Sequence, residues 1–543
     1  MKKIFAIAAL TATIMPATAQ DTYENARLLG SDLNGTARYV GMGGALEALG
    51  ADISTISTNP AGIGLFRRSS ASLSFGLVSQ QDCADFDNLG KTNMSFDQAG
   101  FVYSSRMGDN SFLNFAFNYH KSRNFDQILS AANSLERASM SKLAFAKGTK
   151  DSDTNGGYYW DTDDRGKIIG WRDEYSNERA WQYSQWDYLY FNTINFDQET
   201  NEALFVEADA YEFNRAHRGW IADYDFNLSG NINNRVFLGV TLGLHTVNYK
   251  GYSMYGERII AADDHIRGWL SLEDERKITG TGVDVKVGAI FRPIEDSPFR
   301  FGLSIATPTW YDLKSENWTS LYNNTDSYWG YDKGYNAEAY EFKYYTPWKF
   351  GASLGHTIGT MLALGASYEY TDYTASDTRV IDGWDYYYDE PDSYSDREQK
   401  RNAEISLKGA HLLKLGAEFK PDPSMAVRLG YNYQSPTYDK KGYRDTQLNS
   451  MGNMYASTAD YTNWEDTHRI TCGLGYKYEN LSIDLAYQYS TTKGTFYPFQ
   501  PNVDFIDPVP DADGNRIYET NISTPTSVNH NRHQLLLSLT YTF

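Results

Sequence analysis

An all-β transmembrane barrel, up-and-down and antiparallel with fourteen strands, is the architecture this sequence predicts. Three observations carry it. After residue 70 the chain alternates apolar and polar residues through fourteen stretches. The connections between those stretches are short and long in turn, and the last stretch runs to Phe543. Tight turns on one side and long loops on the other are how outer-membrane barrels arrange their periplasmic and extracellular connections.

Taken in order, the chain opens with Lys2 and Lys3, an apolar run Ile4–Met15, and Ala17-Thr18-Ala19 before Gln20. That pattern is a secretory signal peptide, residues 1–19, to be set apart from the fold. Residues 20–70 follow as an N-terminal hatch or plug, and 71–543 as the barrel. Tight turns are expected near Met107–Asn110, Asn231–Asn234, Ile294–Ser297, Thr357–Gly359, Pro421–Ser424 and Glu479–Leu481, with a long extracellular loop over about residues 121–215. Successive strand side chains face opposite sides. The fifth strand therefore turns Val236, Leu238, Val240, Leu242 and Leu244 to lipid, with Gly239, Thr241 and Gly243 to the lumen. The last strand does the same with Leu535, Leu537, Leu539, Tyr541 and Phe543 against Gln534, Ser538, Thr540 and Thr542.

Composition fits. No later apolar run reaches the roughly 20 residues that a membrane helix needs. The mean hydropathy of -0.55 agrees with strands whose lipid face is hidden in an alternating pattern. Aromatic residues, 15% of the chain and led by tyrosine, suit interfacial girdles. A net charge of -20 excludes nucleic acid as a partner, because that binding needs Lys and Arg against phosphates. Cys83 and Cys472 fall on strands that are not neighbours, so no disulfide is expected. The lumen parity carries charges of both signs, among them Asp284, Lys286, Arg300, Lys414, Glu418, Arg428 and Asp484. They read first as a salt-bridge network filling the barrel and second as a polar track for a solute. About eight strands already enclose a lumen that side chains can fill, so fourteen need a plug. Residues 20–70 are the available material.

That segment contains Gly41-Met42-Gly43-Gly44-Ala45 and, further on, Asn59-Pro60-Ala61-Gly62. Proline fixes its own φ and the following glycine is free, so the latter makes a turn. With the strand count, Thr346-Pro347-Trp348-Lys349-Phe350 and Tyr368-Glu369-Tyr370-Thr371-Asp372-Tyr373, the chain resembles the FadL family of outer-membrane transporters for long-chain fatty acids and other hydrophobic compounds. The resemblance implies a fourteen-stranded barrel and a hatch holding Asn59, Pro60, Ala61 and Gly62 in a gating turn. It further implies capture in an outer groove, passage through the lumen and lateral exit at a kinked third strand. The third strand, about Ser111–Lys121, has no glycine on which to build such a kink.

In the long loop, Phe125, Ile128, Leu129 and Leu135 recur at helical spacing, continuing through Met140 and Leu143. An amphipathic helix is expected there, either packing on the rim or lining a groove for a hydrophobic ligand. Asp151, Asp153 and Asn155 resemble the start of a calcium loop, but Thr162 stands where the pattern needs Glu, so they are weak metal candidates. Loops near Tyr322–Tyr345 and Trp384–Asp396 are dense in Tyr, Trp and Asp. No two histidines sit at metal-ligand spacing; His530 and His533 come nearest and suit the membrane interface. His468 beside Asp466, and His265 beside Asp263, read as solvated loop residues, and no enzyme is expected. No cofactor is implied. The expected partners are a hydrophobic small molecule, outer-membrane lipid and lipopolysaccharide, and the chain is expected to be a monomer. The alternative is a surface receptor for haem or a host ligand on the same scaffold.

Overall fold

A computed structural model describes residues 21–543 except 150–157, 165–167, 174–179, 198, 201, 327–332, 382, 384–391, 502–508, 511–515 and 518–519. Fourteen antiparallel strands close into a barrel. Strands 1 to 6 are Ser70–Gln80, Thr92–Arg106, Phe112–Asn124 (continued by Gln127–Ser134), Glu207–Ile232, Val236–Ile260 and Ile266–Phe291. Strands 7 to 9 are each in two pieces, Arg300–Ala306 with Trp310–Thr325, Lys333–Tyr345 with Lys349–Ile358, and Leu362–Asp372 with Asp377–Ile381. Strands 10 to 14 are Gly409–Asp422, Met425–Gln434, Tyr461–Tyr478, Leu481–Tyr497 and Thr526–Thr542. Strand 14 pairs with strand 1, Thr542 opposite Ser70, and the Phe543 N–H donates to the Ser69 carbonyl. All six expected tight turns connect consecutive strands.

Each long strand has two zones. On strand 5, Leu238, Val240, Leu242 and Leu244 are exposed on the outer face, while Thr241, Gly243 and His245 are buried toward the lumen. From Thr246 outward the chemistry reverses: Thr246, Asn248 and Lys250 face out, and Val247, Tyr249, Tyr255 and Ile259 face in. The lower zone is a lipid belt and the upper zone an apolar-lined cup standing in water. Their boundary is marked on the outer surface by three like pairs on successive hairpins. Tyr368 with His411, Tyr431 with His468, and Tyr487 with His533 each share a 2.7 Å bond between the phenol oxygen and Nδ1. Amphipathic rings of this kind favour the interface.

The cup is closed by a core of its own, including Leu129, Leu135, Leu143, Trp171, Trp186, Phe191, Leu272, Phe496 and Val528. The helices Met140–Thr149 and Gln185–Tyr190 sit in it, tied by a buried Lys147–Asp187 ion pair. Burial pushes the Lys147 ammonium down and the Asp187 carboxyl up, so the pair is held at a desolvation cost.

Two expectations fail here. Residues 127–134 form a strand, not an amphipathic helix, because they continue strand 3 along strand 4, Ile128 opposite Ala216 and Leu129 opposite Arg215. A short apolar run satisfies both periodicities, and the free edge of a long strand 4 decides between them. The aromatic stretch Tyr322–Tyr345, read as a loop, supplies the end of strand 7 and the start of strand 8.

Candidate functional site

Residues 21–65 run down the inside of the barrel. Asp21 and Glu24 pair with Arg444, high in the cup, and the Thr22 N–H donates to Gln399 Oε1 at 3.0 Å. Lower down, Glu47 accepts from Lys414 at 2.7 Å, and Arg38 lies 3.1 Å from Glu418, itself 2.7 Å from Arg428. These lumen charges are thus partnered by one another and by the N-terminal segment, as carboxylates and cations buried from water must be.

Asn59 caps a short helix, Pro60–Leu65, accepting from the Ala61 N–H at 3.2 Å. The turn presses on strands 4 to 7. Ser229 Oγ donates to the Pro60 carbonyl at 2.8 Å, and Thr241 Oγ1 to the Ile56 carbonyl at 2.9 Å. A methyl group added at Gly239 would stand 2.5 Å from the Pro60 carbonyl, and one at Gly302 would stand 2.8 Å from Asn59 Nδ2. Glycine on the wall is what lets the turn dock. Ala61 is buried against Phe237 and Ile290 of that wall, whereas Gly62 is buried against Thr55 of the segment itself.

Beside the upper part of this segment lies a cavity of about 180 Å³. Five arginines line it, Arg27, Arg123, Arg215, Arg469 and Arg532, with Asp32, Asp126 and Glu465 as the carboxylates. Asp32 lies 3.7 Å from both Arg123 and Arg532. Arg215 pairs with Asp460, whereas Arg27 bonds the Tyr249 hydroxyl at 3.0 Å and Arg469 bonds Asn432 Oδ1 at 2.8 Å. Tyr23, Leu29, Phe125, Tyr438 and Trp464 supply apolar wall. Cationic excess beside aromatic surface suits a molecule with an apolar body and an anionic or electron-rich end.

The cavity abuts a break in the barrel wall. Strands 2 and 3 pair from Arg106/Phe112 out to Gln98/His120 and no further. Beyond that point strand 2 continues on strand 1 and strand 3 on strand 4, each leaving one residue out of register, Asp97 and Ser122. A bulge bends a strand by inserting a residue, so strand 3 carries at Ser122 a device for bending that needs no glycine. The backbone groups that strand 2 abandons are taken by the N-terminal segment. The Asp32 N–H donates to the Ser122 carbonyl at 2.8 Å, and Asp32 Oδ2 accepts from the Asn124 N–H at 2.9 Å. Asn34 Nδ2 bridges the gap, 2.9 Å from the Lys121 carbonyl and 3.0 Å from Asp97 Oδ1, while Lys121 Nζ reaches Ser95 Oγ at 2.7 Å.

The sequence candidates are distributed unequally around this site. Phe125 lines the cavity. Ile128 packs instead with Leu89 and Ala216, and Leu129 and Leu135 lie in the cup core, so the four do not form one groove. Asp151, Asp153 and Asn155 lie outside the described residues. His533 is at the interface, but His530, three residues on the other parity, faces the cavity. Asp32, Asn34, Arg123 and Arg469 sit in no motif, and only the packing of the N-terminal segment against strand 3 and strand 12 brings them together.

No family model matches the chain, and no curated protein matches it in sequence. Solved structures similar to it include a FadL homologue of Pseudomonas aeruginosa, 12% identical with a TM-score of 0.49, covering 95% of this chain and 99% of that one. A monoaromatic hydrocarbon channel, CymD, is 10% identical with a TM-score of 0.46, over 95% of this chain and 98% of the other. The Ralstonia pickettii toluene transporter TbuX is 11% identical with a TM-score of 0.44, over 94% and 99%. These are similarities of backbone course at low identity.

Proposed function

We propose that this chain is an outer-membrane channel for hydrophobic small molecules, fatty-acid-like amphiphiles among them, gated by its N-terminal segment. The observation that carries the reading is the joining of an arginine-rich, aromatic-walled cavity to a seam closed by Asp32 and Asn34 rather than by a backbone ladder. A ligand entering the cavity competes with Asp32 for Arg123 and Arg532. Releasing Asp32 and Asn34 frees the strand 3 edge and opens a way sideways into lipid. The Asn59–Gly62 turn anchors the other end of the moving segment, and Phe125 contacts the ligand's apolar part. A second exit is a hollow of about 470 Å³ at the turn end, lined by Arg38, Arg67, Arg68 and Arg428, which leads to the periplasm.

The test is uptake of a labelled long-chain fatty acid, and of toluene, by cells lacking their own transporter. Expression of this chain should raise uptake of at least one. The double variant Arg123→Ala/Arg469→Ala should abolish it at equal surface level. Closing the seam with a bulky Asn34→Trp should block lateral exit, whereas unchanged uptake in that variant would favour the periplasmic hollow. A folded, surface-exposed barrel that takes up neither probe would sink the channel reading and favour the receptor.

A further inference from the structure

Beside the seam, four strands bring six ionisable side chains into the lumen wall. They are His120 on strand 3, Asp223 and Asp225 on strand 4, His245 on strand 5, and Asp284 and Lys286 on strand 6. All are buried. Three carboxylates face a single permanent cation, Lys286, which lies 3.1 Å from Asp225 Oδ1 and 2.9 Å from Asp284 Oδ1. Buried carboxylates at the upper edge of the lipid belt need further positive charge.

The geometry points to a divalent transition-metal site formed by His120, Asp223 and Asp225. Each carboxylate is held by one oxygen and leaves the other free. Asp223 Oδ1 accepts from Ser122 Oγ at 2.7 Å and meets His245 Nδ1 at 2.7 Å, and Asp225 Oδ1 is taken by Lys286. Asp223 Oδ2 and Asp225 Oδ2 then face the imidazole of His120, at 3.6 Å from Nε2 and 3.6 Å from Nδ1. That is too long for a hydrogen bond. Asp225 Oδ2 and His120 Nδ1 make none, although the two residues are only 0% and 7% exposed. One ligand atom from each of the three residues falls within 4.8 Å of the others. Zinc bonds of about 2.0–2.2 Å put neighbouring ligand atoms of a tetrahedral site about 3.4 Å apart. Only one imidazole nitrogen can take the ion, so binding turns the His120 ring until a single nitrogen faces both free carboxylate oxygens and draws the three donors, now within 4.8 Å, to that spacing.

The surroundings fit. Ligating carboxylates are normally oriented by a hydrogen bond to their second oxygen, the part played here by Ser122, His245 and Lys286. A cavity of about 80 Å³, lined by His120, Ser122 and Asp223, has room for a water as fourth ligand. A mixed nitrogen and oxygen set favours zinc or a similar first-row dication over calcium or magnesium, which prefer oxygen alone. Because Ser122 is the bulged residue of strand 3, the ion ties strands 3 and 4 together beside the seam.

The experiment is zinc binding by the purified, detergent-solubilised full chain after EDTA stripping, read by elemental analysis and by cobalt absorption. We expect about one tightly held ion per chain. His120→Gln and Asp225→Asn should remove it, and Ser122→Ala should weaken it by about 10-fold or more. His468→Ala, at the outer rim, should leave it unchanged. Heat-modifiable gel migration confirms that each variant is folded; where His120→Gln is not, Asp225→Asn and the wild-type stoichiometry decide. A wild-type chain that retains no zinc, or equal binding after loss of His120 or Asp225, overturns the proposal.

Discussion

The lipid belt and the cup are built by the same strands with opposite faces. In the belt, strand 5 sends leucine and valine outward and threonine, glycine and histidine inward; ten residues later it sends lysine and asparagine outward and valine and tyrosine inward. The backbone does not change between the zones, but the solvent does. Lipid accepts no hydrogen bonds, so belt side chains facing it must be apolar, and polar groups collect inside against the N-terminal segment. Water surrounds the cup, so apolar side chains collect inside and pack as in a soluble protein. The seam lies where the two regimes meet, which is why the polar bridge of Asp32 and Asn34 and a cavity walled by both arginines and aromatic rings are neighbours there.

Variants can break or sharpen this contrast. The largest effect should come from the cup, where Asp187→Asn strands the buried Lys147 and should cost about 3–5 kcal/mol. Loss of the cap's protection against protease while the belt stays folded is the expected readout. Val240→Arg places a charge on the lipid face and should cost about 2–4 kcal/mol in urea unfolding from liposomes. The same measurement on a cup position of like parity separates the zones: Lys250→Leu should stay within about 0.5 kcal/mol. Between these lies the latch. Asn34→Ala removes hydrogen bonds to Asp97 and to the Lys121 carbonyl and should cost about 1–3 kcal/mol. It should also raise single-channel conductance in planar bilayers; conductance equal to wild type would mean that Asn34 does not seal the wall. Asn59→Ala, losing one cap bond, should cost about 1 kcal/mol. A slower uptake with intact surface level would then tie that turn to gating.

Much of the belt was legible in the chain. Leu238–Leu244 and Leu535–Tyr541 follow a two-residue period because lipid forces it, and turns such as Asn231–Asn234 sit where Asn233 and Asn234 take positive φ at 52° and 54°. The cup was not legible in the same way. Residues 207–215 and 127–134 read as parts of a loop, since strands standing above the membrane obey no lipid-imposed alternation. Phe125, Ile128, Leu129 and Leu135 share a spacing but end in three different environments. His120, Asp223 and Asp225 share the lumen-facing parity, yet nothing in the hundred or so residues between His120 and the two aspartates says that they meet.

By itself, then, the sequence determined the barrel, its strand number and which face of each belt strand meets lipid, because those follow from local alternation and turn chemistry. Only the tertiary structure decided where strand 2 leaves strand 3, how Asp32 and Asn34 fill the gap, and which arginines share a cavity. Those depend on closure of the sheet, which sets one register for all fourteen strands at once and brings the N-terminal segment against side chains that no local pattern connects to it.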